Sequence, residues 1–364
     1  MIKPWLFTFL KPLGRRRSVI DEQAASQETY DFHLSILPSL ERMGFEGVFF
    51  SEHHFFGNIS PSPNLMIAAA SQRTERLRLG VMGNVLPMNI PYRVAEEIGM
   101  LNLLTRQRLD IGYSSGAGPM EPVVAGIRKE EIRPRYEEAL EIIELALHHG
   151  SVDFRGDFYF YDKLAISPRL SSANLPPRWI TVLSAPSAEA AAQRGCRICT
   201  GFLSTEAIVP IFAAYKQAAR RSSKPFGSSQ MGIRRQILVW DSDAEANRLG
   251  AELKRIQIEE LDGRAQSIVR RHDSARSTEP SVSAIPDFPS AAGLFSEADE
   301  CIFGSPATVT ERIIEQCRRT GAGHMMAYMF SGLDAEETRH SLSLWQRVIP
   351  ELRRAGVVDS NPLG

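Results

Sequence analysis

The strongest constraint on this fold is an alternation that runs the length of the chain. Eight short, β-rich apolar runs fall at residues 5–10, 47–52, 77–81, 108–112, 179–183, 197–202, 232–240 and 324–329. Amphipathic stretches with helical spacing separate them, at 28–43, 62–73, 92–104, 135–148, 187–194, 205–222, 242–259 and 308–320, and a last one covers 334–353. Strand and helix in strict alternation make an α/β protein with a parallel sheet. Eight such units in 364 residues fit a closed TIM (β/α)8 barrel with insertions better than an open doubly wound sheet. The whole chain, 1–364, reads as one domain.

Local signals set the register. Ser62-Pro63 pairs a capping serine with a proline at the first helical position, and Asn89-Ile90-Pro91 starts the next helix in a similar way. Gly44 and Gly321 lie just past helix ends. Two segments break the rhythm. Residues 150–164 read as a hairpin turning at Arg155-Gly156-Asp157. Residues 262–299 are rich in Ser, Ala, Pro and Arg with little periodicity, and a long loop of this kind inside a compact domain reads as a lid or as a disordered segment.

Composition narrows the partners. A formal net charge of -1 gives no field to draw the chain to nucleic acid or an anionic membrane. The basic runs Arg15-Arg16-Arg17 and Arg270-Arg271 read as solvated surface. No apolar stretch reaches the ~20 residues needed to span a bilayer. The apolar start, MIKPWLFTFLKPLG, is broken by Lys3, Pro4 and Lys11 and reads as a first strand rather than a signal peptide. Four cysteines do not make a disulfide scaffold in a chain this long, so a reducing cytoplasm is the expectation.

In a barrel of this type, reactive groups sit at the C-terminal ends of strands. The run GVFFSEHHF puts Glu52, His53 and His54 there. Neighbours on a strand point to opposite faces, which argues against a shared metal, and no helical His-Glu-x-x-His spacing occurs. From position alone, the pair reads equally well as hydrogen-bonded residues closing a strand. Cys196-x-x-Cys199 overlaps a strand and reads as core. The loop GYSSGAGP lacks the third glycine of a dinucleotide fingerprint, although its amides could approach an anion. After the fifth run, Ser184-Ala185-Pro186-Ser187 opens a helix. Hydroxyls and free amides meet there at a positive dipole end, either as an ordinary cap or as a phosphate seat. His148-His149 are explained by a helix C-terminus, and Met325, Met326 and Met329 read as core or pocket wall.

Taken together, the segments GFEGVFFSEHHF, SPSPNLMIAAASQRTERLRLGVMGNVLPMNIPYRVAEEIGMLNLLTRQRLDIGYSSG, SAPSAEAAAQRG and FGSPATVTERI resemble the bacterial-luciferase-like flavin monooxygenases over almost the whole chain. The resemblance implies a TIM barrel that takes reduced FMN (FMNH2) from a separate NAD(P)H-dependent flavin reductase. It implies O2 activation as a C4a-peroxyflavin and oxygenation of a small, apolar organic substrate. The first histidine of the family's EHH motif falls on His53, which becomes the catalytic candidate for proton handling. The family's phosphate-loop serines fall on Ser184 and Ser187, and its non-proline cis peptide at the flavin ring falls on Met82-Gly83. Three positions depart from luciferases: Ser114 and Ser115 stand where those carry a cysteine and a phosphate-binding arginine, and Leu183 replaces a glutamate. These changes argue against light emission from an aldehyde. Phe55, Phe56, Met82, Tyr113 and Met326 are the expected apolar walls, 262–299 the expected mobile lid, and a homodimer the expected assembly. Two other readings stay open, a dehydrogenase or reductase using the deazaflavin F420 and a non-catalytic flavin-binding protein.

Overall fold

The computed structural model describes residues 1–15, 21–54, 58–116, 120–275, 299–329 and 332–356. Its strands are β1 Lys3–Thr8, β2 Gly47–Phe50, β3 Arg78–Val85, β4 Leu109–Ser114, β5 Ser151–Arg155, β6 Phe160–Ala165, β7 Arg178–Thr181, β8 Arg197–Thr200, β9 Met231–Val239, β10 Cys301–Gly304 and β11 His324–Tyr328. Its helices are α1 Glu22–Met43, α2 Pro63–Ser71, α3 Pro91–Leu104, α4 Met120–Val124, α5 Lys129–His149, α6 Ala185–Gln193, α7 Thr205–Arg221, α8 Asp243–Ala275, α9 Pro306–Thr320 and α10 Ala335–Arg354.

Parallel pairing runs β9-β11-β1-β2-β3-β4-β7-β8, and β8 pairs back onto β9 to close an eight-stranded barrel. All eight expected strands are therefore present, and the β5-β6 hairpin lies where residues 150–164 placed it. One strand was not legible in the sequence. β8 pairs with β9 only from Ile198 to Thr200, against Met231 to Ile233. Above that level β10 takes over the same edge, matching Cys301–Gly304 to Gln236–Val239. The helical stretch expected to end at 259 instead continues to Ala275, so the first third of the expected lid has a helical backbone; 276–298 lie outside the described residues. Arg15 is not a free surface charge: it pairs with both carboxylate oxygens of Glu337 at 2.8 Å and with Glu252 at 3.1 Å. Arg16 and Arg17 are outside the described residues.

Strand alternation sorts the core into two layers. One layer, between sheet and helices, holds Val48, Leu79, Ile111, Ile198 and Ile237. The other fills the barrel with Trp5, Phe49, Met82, Trp179, Met326 and Tyr328 among others. The base of the barrel is plugged. Trp5 stacks on Phe49 at 4.6 Å, and Trp179 meets the ring of His324 edge-on at 5.1 Å. Trp5 Nε1 donates to His324 Nδ1 at 2.9 Å, so His324 is the neutral tautomer that donates from Nε2 to the Ser229 carbonyl at 3.1 Å. Burial holds its pKa down to about 3. Asp110, fully buried, accepts from Trp179 Nε1 at 2.8 Å and from Arg78 Nε at 2.6 Å. With the base filled, access to the interior is left to the C-terminal mouth.

The cysteines are all buried, Cys196 in the outer layer and Cys199 in the lumen. Among the described residues no helix is long and apolar enough to cross a membrane.

Gly83 and Gly112 interlock across β3 and β4. A Cβ on Gly112 would lie 2.4 Å from the Val81 carbonyl oxygen, and one on Gly83 would lie 2.7 Å from the Gly112 carbonyl carbon. Both obstacles are backbone and cannot swing aside. Gly112→Ala is expected to destabilise the fold by about 1–3 kcal/mol, as overpacking does. Urea unfolding with an unchanged m-value would check this.

Candidate active site at the C-terminal mouth

Glu52 organises one side of the mouth. Its carboxylate is buried and accepts from the Val85 N–H at 2.9 Å and from Asn89 Nδ2 at 3.1 Å. His54 Nε2 completes the set at 2.9 Å from Oε1. One side chain thus joins the end of β2 to the end of β3, just past Met82–Gly83. That peptide bond is cis, and the register between β3 and β4 shifts there, between Val81 and Asn84.

Glu121, from the short helix α4, supports both imidazoles in different ways. Its Oε1 lies 3.4 Å from His53 Nδ1 and accepts the backbone N–H of His54 at 2.9 Å. Burial pushes this carboxyl up, but the hydrogen bonds from His53 and the His54 amide outweigh it and leave the group below the usual carboxylate range. The His53 backbone is fixed by a bridge to Ser60, its N–H donating to the Ser60 carbonyl at 3.0 Å. The His53 ring packs on Phe9 at 4.8 Å, and Phe9 packs on Tyr328 at 4.7 Å. Among the described residues, Nε2 of His53 has no hydrogen-bond partner, whereas His54 is held at both backbone and ring.

The serines lie further round the same rim. Ser114 ends β4, and its hydroxyl accepts the Gly116 N–H at 3.0 Å. Ser115 follows it and is half-buried. Ser184 is the N-cap of α6, on the chain leaving β7, which pairs with β4. The Ser187 hydroxyl donates to the Ser184 carbonyl at 2.8 Å, and the two hydroxyls lie 3.1 Å apart. Because β2, β3, β4 and β7 are consecutive in the barrel, His53, Met82–Gly83, Ser114, Ser115, Ser184 and Ser187 follow one another around a continuous arc.

Other expected wall residues fare differently. Tyr113 does not face the lumen. It shares the parity of Ile111 and lies in the outer layer, near Glu144, Cys196 and Tyr136, with its hydroxyl buried. Gly112, like Asp110, is on the inward parity of that strand, so the pocket-wall expectation for Tyr113 fails on strand parity. Met326 does face the lumen, but it is fully buried, level with Trp5 in the register of β1 and β11 and below the Phe9–Tyr328 pair. Phe55 and Phe56 lie outside the described residues. Glycine at 83 is required by the backbone of β4.

Glu121, Asn89, Phe9 and Tyr328 were not legible as site residues. Phe9 could have been found as the inward residue two places after Phe7. Glu121 had no local signal, because it comes from a different unit of the fold. Among the described residues no group of three or more His, Cys, Asp or Glu side chains is placed to hold a metal ion.

The fold and site define a closed parallel (β/α)8 barrel with a polar arc on its C-terminal rim. A family model described as luciferase-like monooxygenase matches residues 16–324, and the chain belongs to that family, a flavin-dependent oxygenase by membership. An uncharacterized protein of Sinorhizobium fredii is 28% identical over 317 residues, covering 86% of this chain and 89% of its own. The oxygenase component of a flavin-dependent trigonelline monooxygenase from Acinetobacter baylyi is 29% identical over 182 residues, 49% of this chain and 50% of that protein. A solved Type II Baeyer-Villiger monooxygenase, the oxygenating constituent of 3,6-diketocamphane monooxygenase of Pseudomonas putida in complex with FMN, matches with a TM-score of 0.74. Its identity is 21%, over 96% of this chain and 98% of that one, which speaks for the fold.

His54 carries a testable consequence. The hydrogen bond to Glu52 raises its pKa above the usual 6.5, against burial, with further help from the charges of Glu52 and Glu121. A raised value means the fold prefers the protonated ring. Its contribution to stability is complete below about pH 6.5 and is lost as pH rises through the raised value. Glu52→Gln is expected to lower the His54 titration midpoint. The imidazole proton shifts followed by NMR would show it; an unchanged midpoint would reject Glu52 as the cause.

Proposed function

We propose that this chain is the oxygenase component of a two-component system. It would use reduced FMN, delivered by a separate NAD(P)H-dependent reductase, and O2 to oxygenate a small organic substrate. The observation that carries the reading is the His53–Glu121 pair at the mouth, on the same arc as Met82–Gly83 and the Ser184–Ser187 helix start.

The donor set fits the proposed cofactor. At the positive end of the α6 dipole Pro186 has no N–H and the Ser187 hydroxyl is engaged by the Ser184 carbonyl, so the neighbouring first-turn amides and the Ser184 hydroxyl would meet a phosphate, without requiring a cation. Ser114 and Ser115 sit on the neighbouring strand end and would add hydroxyl donors in place of the luciferase arginine. The backbone of Met82–Gly83 would support the ring system. Reduced FMN, when bound, supplies the electrons and the position at which O2 is activated. The chain's own part is to orient the reactants, to exclude water and to hold a proton. With Nδ1 directed at Glu121, His53 keeps Nε2 as the nitrogen free to accept or return that proton. Residues 262–299 remain the proposed lid.

A homodimer is part of the proposal. Leu65 on α2 and Met100, Leu103 and Leu104 on α3 are large apolar side chains left exposed, Leu65 at 72%. The two helices pack together, tied by Asn64 Nδ2 to Glu97 at 2.8 Å, so these residues form one surface that a second copy would cover.

His53→Ala is expected to lower oxygenation by about 10²–10⁴-fold, the range of general acid-base catalysis. Reduced-FMN affinity should change far less. Product mass spectrometry with labelled O2 across a substrate panel would check both the reaction and the variant. Failure of any label to appear, or binding of F420 with none of FMN, would overturn the reading. Leu103→Asp is expected to turn a dimer into a monomer in light scattering after gel filtration, and a monomeric wild type would refute the interface.

A further inference from the structure

Where β8 stops and β10 begins, a buried carboxylate stands in for part of the ladder. Glu300, fully buried, pairs with Arg234, accepts from Arg235 Nη1 at 3.2 Å and accepts the Phe202 N–H at 2.8 Å. Arg235 is the outward member of the pair, its Nε donating to Gln316 Oε1 of α9 at 2.8 Å. Asp299, on the same outer side, is occupied by the N–H of Thr205 at 2.9 Å.

Arg234 is the inward member. Its guanidinium lies 4.0 Å over the ring of Phe202 and 5.9 Å from that of Tyr328, which belongs to the lumen layer. One edge is committed to Glu300. The other nitrogen, Nη1, is buried with no hydrogen-bond partner. Two residues along β9, on the same face, Gln236 is fully buried and neither Oε1 nor Nε2 has a partner. Gln236 is the register partner of Tyr328. From above, Gln257 of α8 donates from Nε2 to the Tyr328 hydroxyl at 3.4 Å, and its Oε1 is also without a partner.

Three polar side chains, each more than nine-tenths buried, therefore gather around Tyr328 with four hydrogen-bonding atoms unused. Buried polar atoms are normally paired. Here the unpaired set combines a guanidinium edge, an amide donor and two amide acceptors, next to aromatic faces. Phe9 and Tyr328 separate this group from His53.

We propose that Arg234, with Gln236 and Gln257, recognises a carboxylate on the substrate, so that the enzyme acts on a small organic acid whose apolar body lies against the Phe9–Tyr328 pair. The carboxylate would face Arg234 Nη1 and the Gln236 amide, charge-assisted on one side. This refines the substrate of the proposed oxygenase and rests on that reading only for the word substrate. The recognition itself is a binding property that needs neither FMN nor O2.

The test is titration calorimetry of the full chain with aromatic, alicyclic and straight-chain carboxylates, each beside its methyl ester. At least one acid should bind about tenfold or more tightly than its ester, the effect of a lost charged hydrogen bond. Gln236→Met should weaken that acid by a similar factor without lowering the melting temperature, because it removes buried polar atoms that have no partner in the fold. Arg234→Met should abolish the preference for acid over ester; Arg234→Lys keeps the charge and should retain part of it, which guards against loss of folding in the methionine variant. Equal binding of acids and esters, or binding of neither, would mean that water alone satisfies these atoms, and the inference falls. A Gln236→Met variant that melts earlier yet binds the acid normally would assign the cluster a purely structural role and overturn it as well. Labelled-oxygen incorporation into a neutral substrate would leave the proposed oxygenase standing while this inference failed.

Discussion

The carboxylate of Glu52 is the interaction on which the mouth of this barrel depends. A buried carboxylate is tolerated only when hydrogen bonds replace water, and Glu52 takes three, from the Val85 amide, the Asn89 side chain and the His54 ring. Two of the donors belong to the end of β3 and the turn that follows it, and the third lies two residues beyond Glu52 itself. The group therefore does more than satisfy itself, because it fixes the end of β2 against the end of β3. It also settles which histidine is free. His54 is taken by Glu52, and His53 is left with one nitrogen toward Glu121 and the other without a described partner.

The opposite side of the barrel uses the same device in another place. β9 is nine residues long and β8 only four, so their ladder cannot run the full height. Glu300 enters at the gap and binds arginines on both faces of the wall while accepting a backbone amide. A buried ion cluster of this kind is weak evidence for stability by itself. Its structural effect is specific: β10 can take up the pairing of β9, and a guanidinium is turned into the lumen. At both ends of the mouth, then, backbone edges are joined by a buried carboxylate, and in each case a cationic or titratable side chain is presented inward.

Much of this was legible in the sequence, for identifiable reasons. Eight apolar runs alternating with helical stretches specify a closed parallel barrel because each strand needs a crossover helix and has little alternative topology. The position of Glu52-His53-His54 after the second run placed them at the C-terminal rim, where they lie. Tyr113 shows where the reading stopped short. It is expected as a pocket wall, whereas the small residue Gly112 marks the inward parity of β4. β10 was missed because a four-residue strand after a low-complexity stretch has too little pattern to register. Glu121 was missed because its partners lie 67 and 68 residues away, and nothing local to α4 encodes that contact.

The division between the two histidines also has a different origin from the one the sequence implied. A strand pleat would send neighbours to opposite faces, but β2 ends at Phe50, before either of them. What separates His53 and His54 is the choice of carboxylate. His54 folds back two residues onto Glu52 and becomes part of the frame. His53 is pinned through its backbone to Ser60 and through Nδ1 to Glu121, so its ring is held without being used up. A fixed ring with one open nitrogen is the arrangement that the proposed proton role of His53 requires. Two adjacent imidazoles are held differently, one as part of the frame and one with a nitrogen left open, because the two carboxylates that hold them come from different parts of the chain.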